Sequence, residues 1–121
     1  MSADEVAKAF VTHFYTSLDS NAESLAGLYQ QNSMMTFEGQ QFGGPTNIIG
    51  KLRSIGQVKH DIKGMDVQPG ANENCLIIFV TGAVKIGGDN PLHFCEMFQL
   101  IQTQPGSYYV HNDVFRLNYG M

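Results

Sequence analysis

The sequence predicts an α+β fold: three N-terminal helices packed in a strongly curved antiparallel sheet that makes up the C-terminal half. Three observations predict it. Apolar residues recur at helical spacing from Val6 to Leu18 and again across Ile48–Leu52. From Val58 onward the period changes to two, with Val58, His60 and Ile62 alternating against Lys59, Asp61 and Lys63. The segments that follow are long and separated by turns rich in Gly, Pro, Asn and Asp. Strands of that length must twist, and their twist bends the sheet into a cone or half-barrel.

The elements follow in order. Ser2 and Glu5 read as a capping box that opens the first helix. Val6, Phe10, Phe14 and Leu18 form its apolar face, and Asp19-Ser20-Asn21 ends it. A second helix is expected from Ala22 to Tyr29, with Leu25 and Leu28 inward and Asn32-Ser33 breaking the pattern. Met34–Phe37 and Gln40–Phe42 read as a hairpin turning on Glu38-Gly39. Pro45 is suited to the first turn of a third helix, which runs to Ser54 and stops at Gly56. Then come the strands: Val58–Met65 and onward, Cys75–Ile86, His93–Thr103 and Tyr108–Tyr119, joined as an antiparallel meander. No repeat, linker or low-complexity segment interrupts residues 1–121, so one domain is expected.

Composition narrows the function classes. A chain of 13.4 kDa should fold to a surface of roughly 6,500 Å² from about 19,000 Å², enough for one core without staples. Net charge is −4, and the seven Lys and Arg are scattered singly rather than in the basic stripe of a nucleic-acid binder. An acidic balance suits a basic partner. No apolar run is long enough to span a membrane, and the N-terminus lacks a basic-then-apolar signal pattern. Cys75 and Cys95 sit in strand-like runs, either bridged between strands or as two reduced thiols of a cytosolic protein.

Tyr109, His111 and Asp113, spaced by two, fall on one face of the last strand, with Glu96 on its neighbour. Asp113 and His111 read either as ordinary hydrogen-bonded sheet residues or, with Tyr15, as the acid–base set of a small isomerase, dehydratase or cyclase. The four histidines have no paired spacing for a metal, and Gly43-Gly44-Pro45 lacks the lysine of a phosphate-cradling loop. No cofactor is expected. The apolar residues Phe37, Phe42, Ile55, Val58, Leu92, Phe94, Val114 and Phe115 lie at strand ends and turns. They are either plain core or the rim of a pocket that takes an aromatic side chain from a partner.

The blocks Met35-Thr36-Phe37-Glu38-Gly39-Gln40-Gln41-Phe42, Ile48-Ile49-Gly50-Lys51-Leu52 and Asn112-Asp113-Val114-Phe115-Arg116-Leu117-Asn118-Tyr119 resemble the nuclear transport factor 2 family. The helix opening Phe10-Val11-Thr12-His13-Phe14-Tyr15 fits as well, so the resemblance runs over nearly the whole chain. It implies the cone-shaped, cystatin-like fold of that family and a homodimer formed across the open sheet faces. It also implies a non-enzymatic carrier that takes the small GTPase Ran, in its GDP form, into the nucleus while touching Phe-x-Phe-Gly repeats of nuclear-pore proteins. Such a carrier occupies the cytoplasm, the nucleus and the nuclear pore. Carried over by position, the pocket for an aromatic side chain of Ran is Phe37, Ile55, Val58, Leu92, Val114 and Phe115. The acidic rim is Glu38 and Asp89. The chain departs from the family in four places, one of them a segment from Ser54 to His60 that is shorter than in familiar members. Asp89 is the one acid in a turn that often holds a cluster. Phe37 stands where the family has tryptophan. Ala3 stands where an aromatic contacts nucleoporins. A related reading is a heterodimeric partner of a messenger-RNA export receptor.

Overall fold

The computed structural model describes residues 2–88 and 90–118. Helix α1, Ala3–Ser20, opens on the expected capping box: the Glu5 amide donates to Ser2 Oγ (3.2 Å) and the Ser2 amide to Glu5 Oε1 (2.9 Å). Two donors that a helix N-terminus would leave unpaired are thereby satisfied. Asn21 ends α1 and starts the next element, its side chain accepting the Glu23 amide. That element, Ala22–Leu28, is a 3-10 helix with Leu25 buried, and Tyr29 already belongs to the following strand.

Strands β1 (Tyr29–Phe37) and β2 (Gln40–Gly43) form the hairpin, and α2 (Gly44–Ile55) follows with Pro45 in its first turn and Gly56 as its cap at φ 86°. Then come β3 (Val58–Pro69), β4 (Cys75–Ile86), β5 (Leu92–Gln104) and β6 (Ser107–Asn118). The sheet order is β2-β1-β6-β5-β4-β3. The four long strands are the expected antiparallel meander. The sheet as a whole is mixed, because β1 lies parallel to β6, pairing Met35 with Asp113 and Phe37 with Phe115. The strand also runs through Asn32-Ser33, with an irregularity between Tyr29 and Met34 in place of a break.

Curvature comes from bulges as well as twist. Register shifts occur between Ile62 and Gly64 in β3, and between Gln99 and Leu100 and between Gln102 and Gln104 in the β5–β6 pair. A bulge inserts an unpaired residue and bends its strand. The concave face is the core: Ile78, Val80, Val84, Phe94, Phe98 and Leu100 from β4 and β5 meet Ala7, Val11, Phe14 and Tyr15 of α1. The convex face carries Ile77, Phe79 and Val114, each about two-fifths exposed.

Gly82 marks where β3 closes on β4. A Cβ there would stand 2.4 Å from the Asp61 carbonyl oxygen and 3.1 Å from Ile62 Cα, both backbone atoms that cannot swing aside. Gly82→Ala is therefore expected to destabilise the fold by about 1–3 kcal/mol, the usual cost of overpacking. Urea unfolding checks it, and an unchanged midpoint would show that β3 yields freely.

Candidate functional site

The hairpin turn builds one side of the site. Phe37 and Gln40 pair directly, so Glu38-Gly39 is a two-residue loop, and both residues have positive φ (51° and 86°). That conformation matches strand twist but disfavours a side chain such as Glu38's by about 1–2 kcal/mol. Two hydrogen bonds offset the strain. The Glu38 amide donates to the Phe115 carbonyl oxygen (3.1 Å), and Glu38 Oε1 accepts the Leu117 amide. Glu38 is thus pinned beside the end of β6, half-buried, with one carboxylate oxygen engaged.

Next to it lies an apolar cleft. Phe37 (β1) and Phe115 (β6) stack face to face, centroids 4.5 Å apart and planes within 6°. Phe94 (β5) continues the stack at 5.5 Å from Phe115. Lys51 Nζ caps the assembly, 5.2 Å from the Phe37 centroid and 5.8 Å from that of Phe42, a cation–π geometry. Helices supply Leu18, Leu52 and Ile55; β3 supplies Val58 and His60. Val84, Ile86 and Glu96 complete the lining. The enclosed space is about 20 Å³, room for about one water.

His60 is fixed by the end of α1. Its amide donates to Asp19 Oδ2 (2.9 Å), and its Nδ1 lies 2.6 Å from Asp19 Oδ1. Its ring packs on Tyr15 (4.8 Å) and edge-on to Phe94 (5.3 Å). Burial pushes its pKa below the ordinary value, against the opposing pull of Asp19. Beneath the cleft are two buried carboxyl groups. Tyr15 donates to Glu96 Oε1 (2.7 Å), and Tyr29 donates to Asp113 Oδ2 (2.9 Å). Glu96 is pushed well above its ordinary pKa, first by burial and then by the charge of Asp113; Asp113 is raised by burial as well.

Of the positions expected in the pocket, Phe37, Ile55, Val58 and Phe115 converge on the cleft. Leu92 shares the inner face, paired with Val84, but stands outside the lining. Val114 is corrected: it lies on the convex face, because successive strand residues point to opposite faces and Phe115 takes the inward one. Asp89 lies outside the described residues. Leu18, Leu52, His60, Val84, Ile86 and Glu96 were not assigned to the pocket from the sequence, although His60 and Glu96 fall on the faces that strand alternation predicts.

The acid–base set assembles only in part: Tyr15 and Asp113 meet around Glu96, and His111 stays apart. Asp113 faces inward, but it is taken up by Tyr29, Tyr15 is bonded to Glu96, and His111 pairs with Tyr109 (3.5 Å). Leu100 pairs with Val110 and Gln99 with Asn112, so His111 is the extra residue of a bulge. That bulge puts Val110 and Asp113 on one face and separates Asp113 from the Tyr109–His111 pair. Cys75 and Cys95 are free thiols facing Ile101 and Thr81 across the ladder, not each other.

The architecture defines a class: cone-shaped α+β domains whose helices wall the concave side of a bent sheet. Residues 6–117 match the nuclear transport factor 2 domain. The chain is 50% identical over 123 residues to the nuclear transport factor 2 of Oryza sativa subsp. japonica, covering 99% of this chain and 100% of the relative. It is 47% identical to nuclear transport factor 2B of Arabidopsis thaliana, covering 98% and 97%. The solved structure of nuclear transport factor 2 from Cryptosporidium parvum superposes with a TM-score of 0.88 at 40% identity, covering 96% and 94%. The chain belongs to the nuclear transport factor 2 family. A complex of the yeast deubiquitinase Ubp3 with its cofactor Bre5 shares the fold, with a TM-score of 0.88 at 18% identity.

Proposed function

We propose that this nuclear transport factor carries the small GTPase Ran, in its GDP form, through the nuclear pore, and that it acts by binding rather than by catalysis. The observation that carries the reading is the Phe37–Phe115 cleft with Glu38 pinned at its edge. An aromatic side chain of Ran enters between these walls, and basic groups of Ran meet Glu38 and Asp89 at the rim. The cleft as it stands admits about one water, so entry of a ring requires its walls to part. Passage through the pore uses Phe-x-Phe-Gly repeats, and Ala3 at the exposed start of α1 shifts that contact away from the family's aromatic position. Two copies pair through their convex sheet faces. The carrier accordingly moves between cytoplasm and nucleus.

Calorimetry with GDP- and GTP-loaded Ran tests the reading. The GDP form is expected to bind and the GTP form not; equal affinity, or none for either, sinks it. Glu38→Gln is the informative variant, since its amide oxygen still accepts the Leu117 amide while the charge is gone. It is expected to weaken binding at least about tenfold, ~1.4 kcal/mol, with thermal stability retained.

A further inference from the structure

We propose that Glu96 and Asp113 share one proton, held on Glu96 and donated to Asp113 Oδ1, and that this proton keeps the floor of the cleft neutral. The consequence for partner binding rests on the carrier reading above; the proton itself does not.

The hydrogen-bond count demands it. Glu96 is 4% exposed and Asp113 is fully buried. Tyr15 and Tyr29 each have a single hydroxyl hydrogen, and these go to Glu96 Oε1 and Asp113 Oδ2. Asp113 Oδ1 is then a buried acceptor with no donor among the described residues. An acceptor left so is costly, by about 1–3 kcal/mol or more. The two carboxyl groups are diagonal neighbours on the inner face of the β5–β6 pair, because Asp113 faces Phe98 and Glu96 lies two residues from Phe98 along the same strand. None of the ion pairs among the described residues reaches either of them. Two adjacent carboxylates in the interior cannot both be ionised. One added proton resolves both problems: Glu96 becomes a donor, and Asp113 Oδ1 acquires its partner.

The environment decides which group holds it. Either member, if ionised, accepts from its own tyrosine and from its neighbour, so the surroundings choose: Glu96 is the one that faces the apolar cleft among Phe37, Phe115 and Val84. The charged and titratable groups around the pair are Tyr15 from α1, Tyr29 from β1, His60 from β3, and Cys95 beside Glu96. Both phenols are pushed above their ordinary range, first by burial and then by the carboxyl charge nearest each, so they keep their protons. His60 is lowered, so it brings no cation. An ionised Glu96 would instead place a charge against the rings that a partner's aromatic side chain must join.

A carboxyl-carbon NMR titration of the full chain measures the proton directly. Glu96 is expected to be protonated and Asp113 ionised at neutral pH. Glu96 ionised, or Asp113 as the neutral member, overturns the proposal. The native pKa of Glu96 lies above its unfolded value of about 4.3. Its contribution to stability is therefore full below that value and lost as pH rises through the native pKa. Glu96→Gln, which carries a permanent donor, is expected to remove that part of the pH dependence from urea unfolding. The wild type is expected to lose Ran-GDP affinity as pH rises through the native pKa of Glu96, and Glu96→Gln to keep it; the same slope in both proteins, in unfolding or in binding, overturns the proposal. If the wild type binds no Ran-GDP, the carrier reading fails while the titration and the unfolding curves still decide the proton.

Discussion

Phe98→Ala is expected to lower the free energy of unfolding by about 3–5 kcal/mol. Phe98 is fully buried on the inner face of β5. It is the hub of the joint between α1 and the sheet: its ring lies 5.0 Å from Phe10, 4.8 Å from Phe14 and 6.2 Å from Tyr15, all in edge-on geometry. Such pairs are each worth about 0.5–1.5 kcal/mol beyond area burial. Truncation loses several at once and leaves a void that a helix anchored by its capping box cannot easily fill. A domain of this size is stable by only about 5–15 kcal/mol in total. Urea unfolding should show a lower midpoint with an unchanged slope. A loss under about 1 kcal/mol would mean that α1 settles onto the sheet and that the joint is not this cluster.

The joint was legible from the sequence because each half obeys one period. The Phe10, Phe14, Leu18 stripe and the alternation of Phe94, Glu96 and Phe98 fix the two faces that meet. The parallel pairing of β1 with β6 was not legible. It joins segments at opposite ends of the chain, and no local pattern records which strand lies beside which. Asp113 shows a second limit. Counting by two from Tyr109 and His111 put all three residues on one face, and the bulge at His111 broke the count without a Gly or Pro to announce it. Val114 shows the opposite case. Adjacent strand residues cannot share a face, so its placement beside Phe115 in one pocket conflicted with the alternation already in the sequence. The cleft follows the same rule: the residues on the inward parity converge, and Glu38 joins them only because the two-residue turn carries it to the end of β6.

Phe79→Lys is expected to turn a homodimer into a monomer. The exposed apolar residues of the convex face are not scattered. Phe79 pairs with Met97, Met97 with Val114 and Val114 with Thr36, making one row across four strands. Ile77, Gln99, Asn112 and Met34 make the neighbouring row, tied at its centre by the Asn112 side-chain amide donating to Gln99 Oε1. Phe79, Ile77, Met34 and Val114 are each 38–42% exposed. A contiguous apolar face of this kind is what a subunit interface leaves when one partner is removed. In a two-fold dimer each copy contributes the same patch, so Phe79 is buried twice. Only the exposed two-fifths of each ring is newly buried on pairing, so losing both rings forfeits about 1–3 kcal/mol, roughly tenfold or more in dissociation constant, and lysine at the centre adds the cost of burying charge. Size-exclusion chromatography with light scattering reads the outcome. The wild type should run at twice the chain mass and the variant at the chain mass, with unchanged far-ultraviolet circular dichroism. A dimeric variant would place the interface elsewhere. A monomeric wild type would overturn self-pairing and turn this face toward a different subunit, as the export-receptor reading requires.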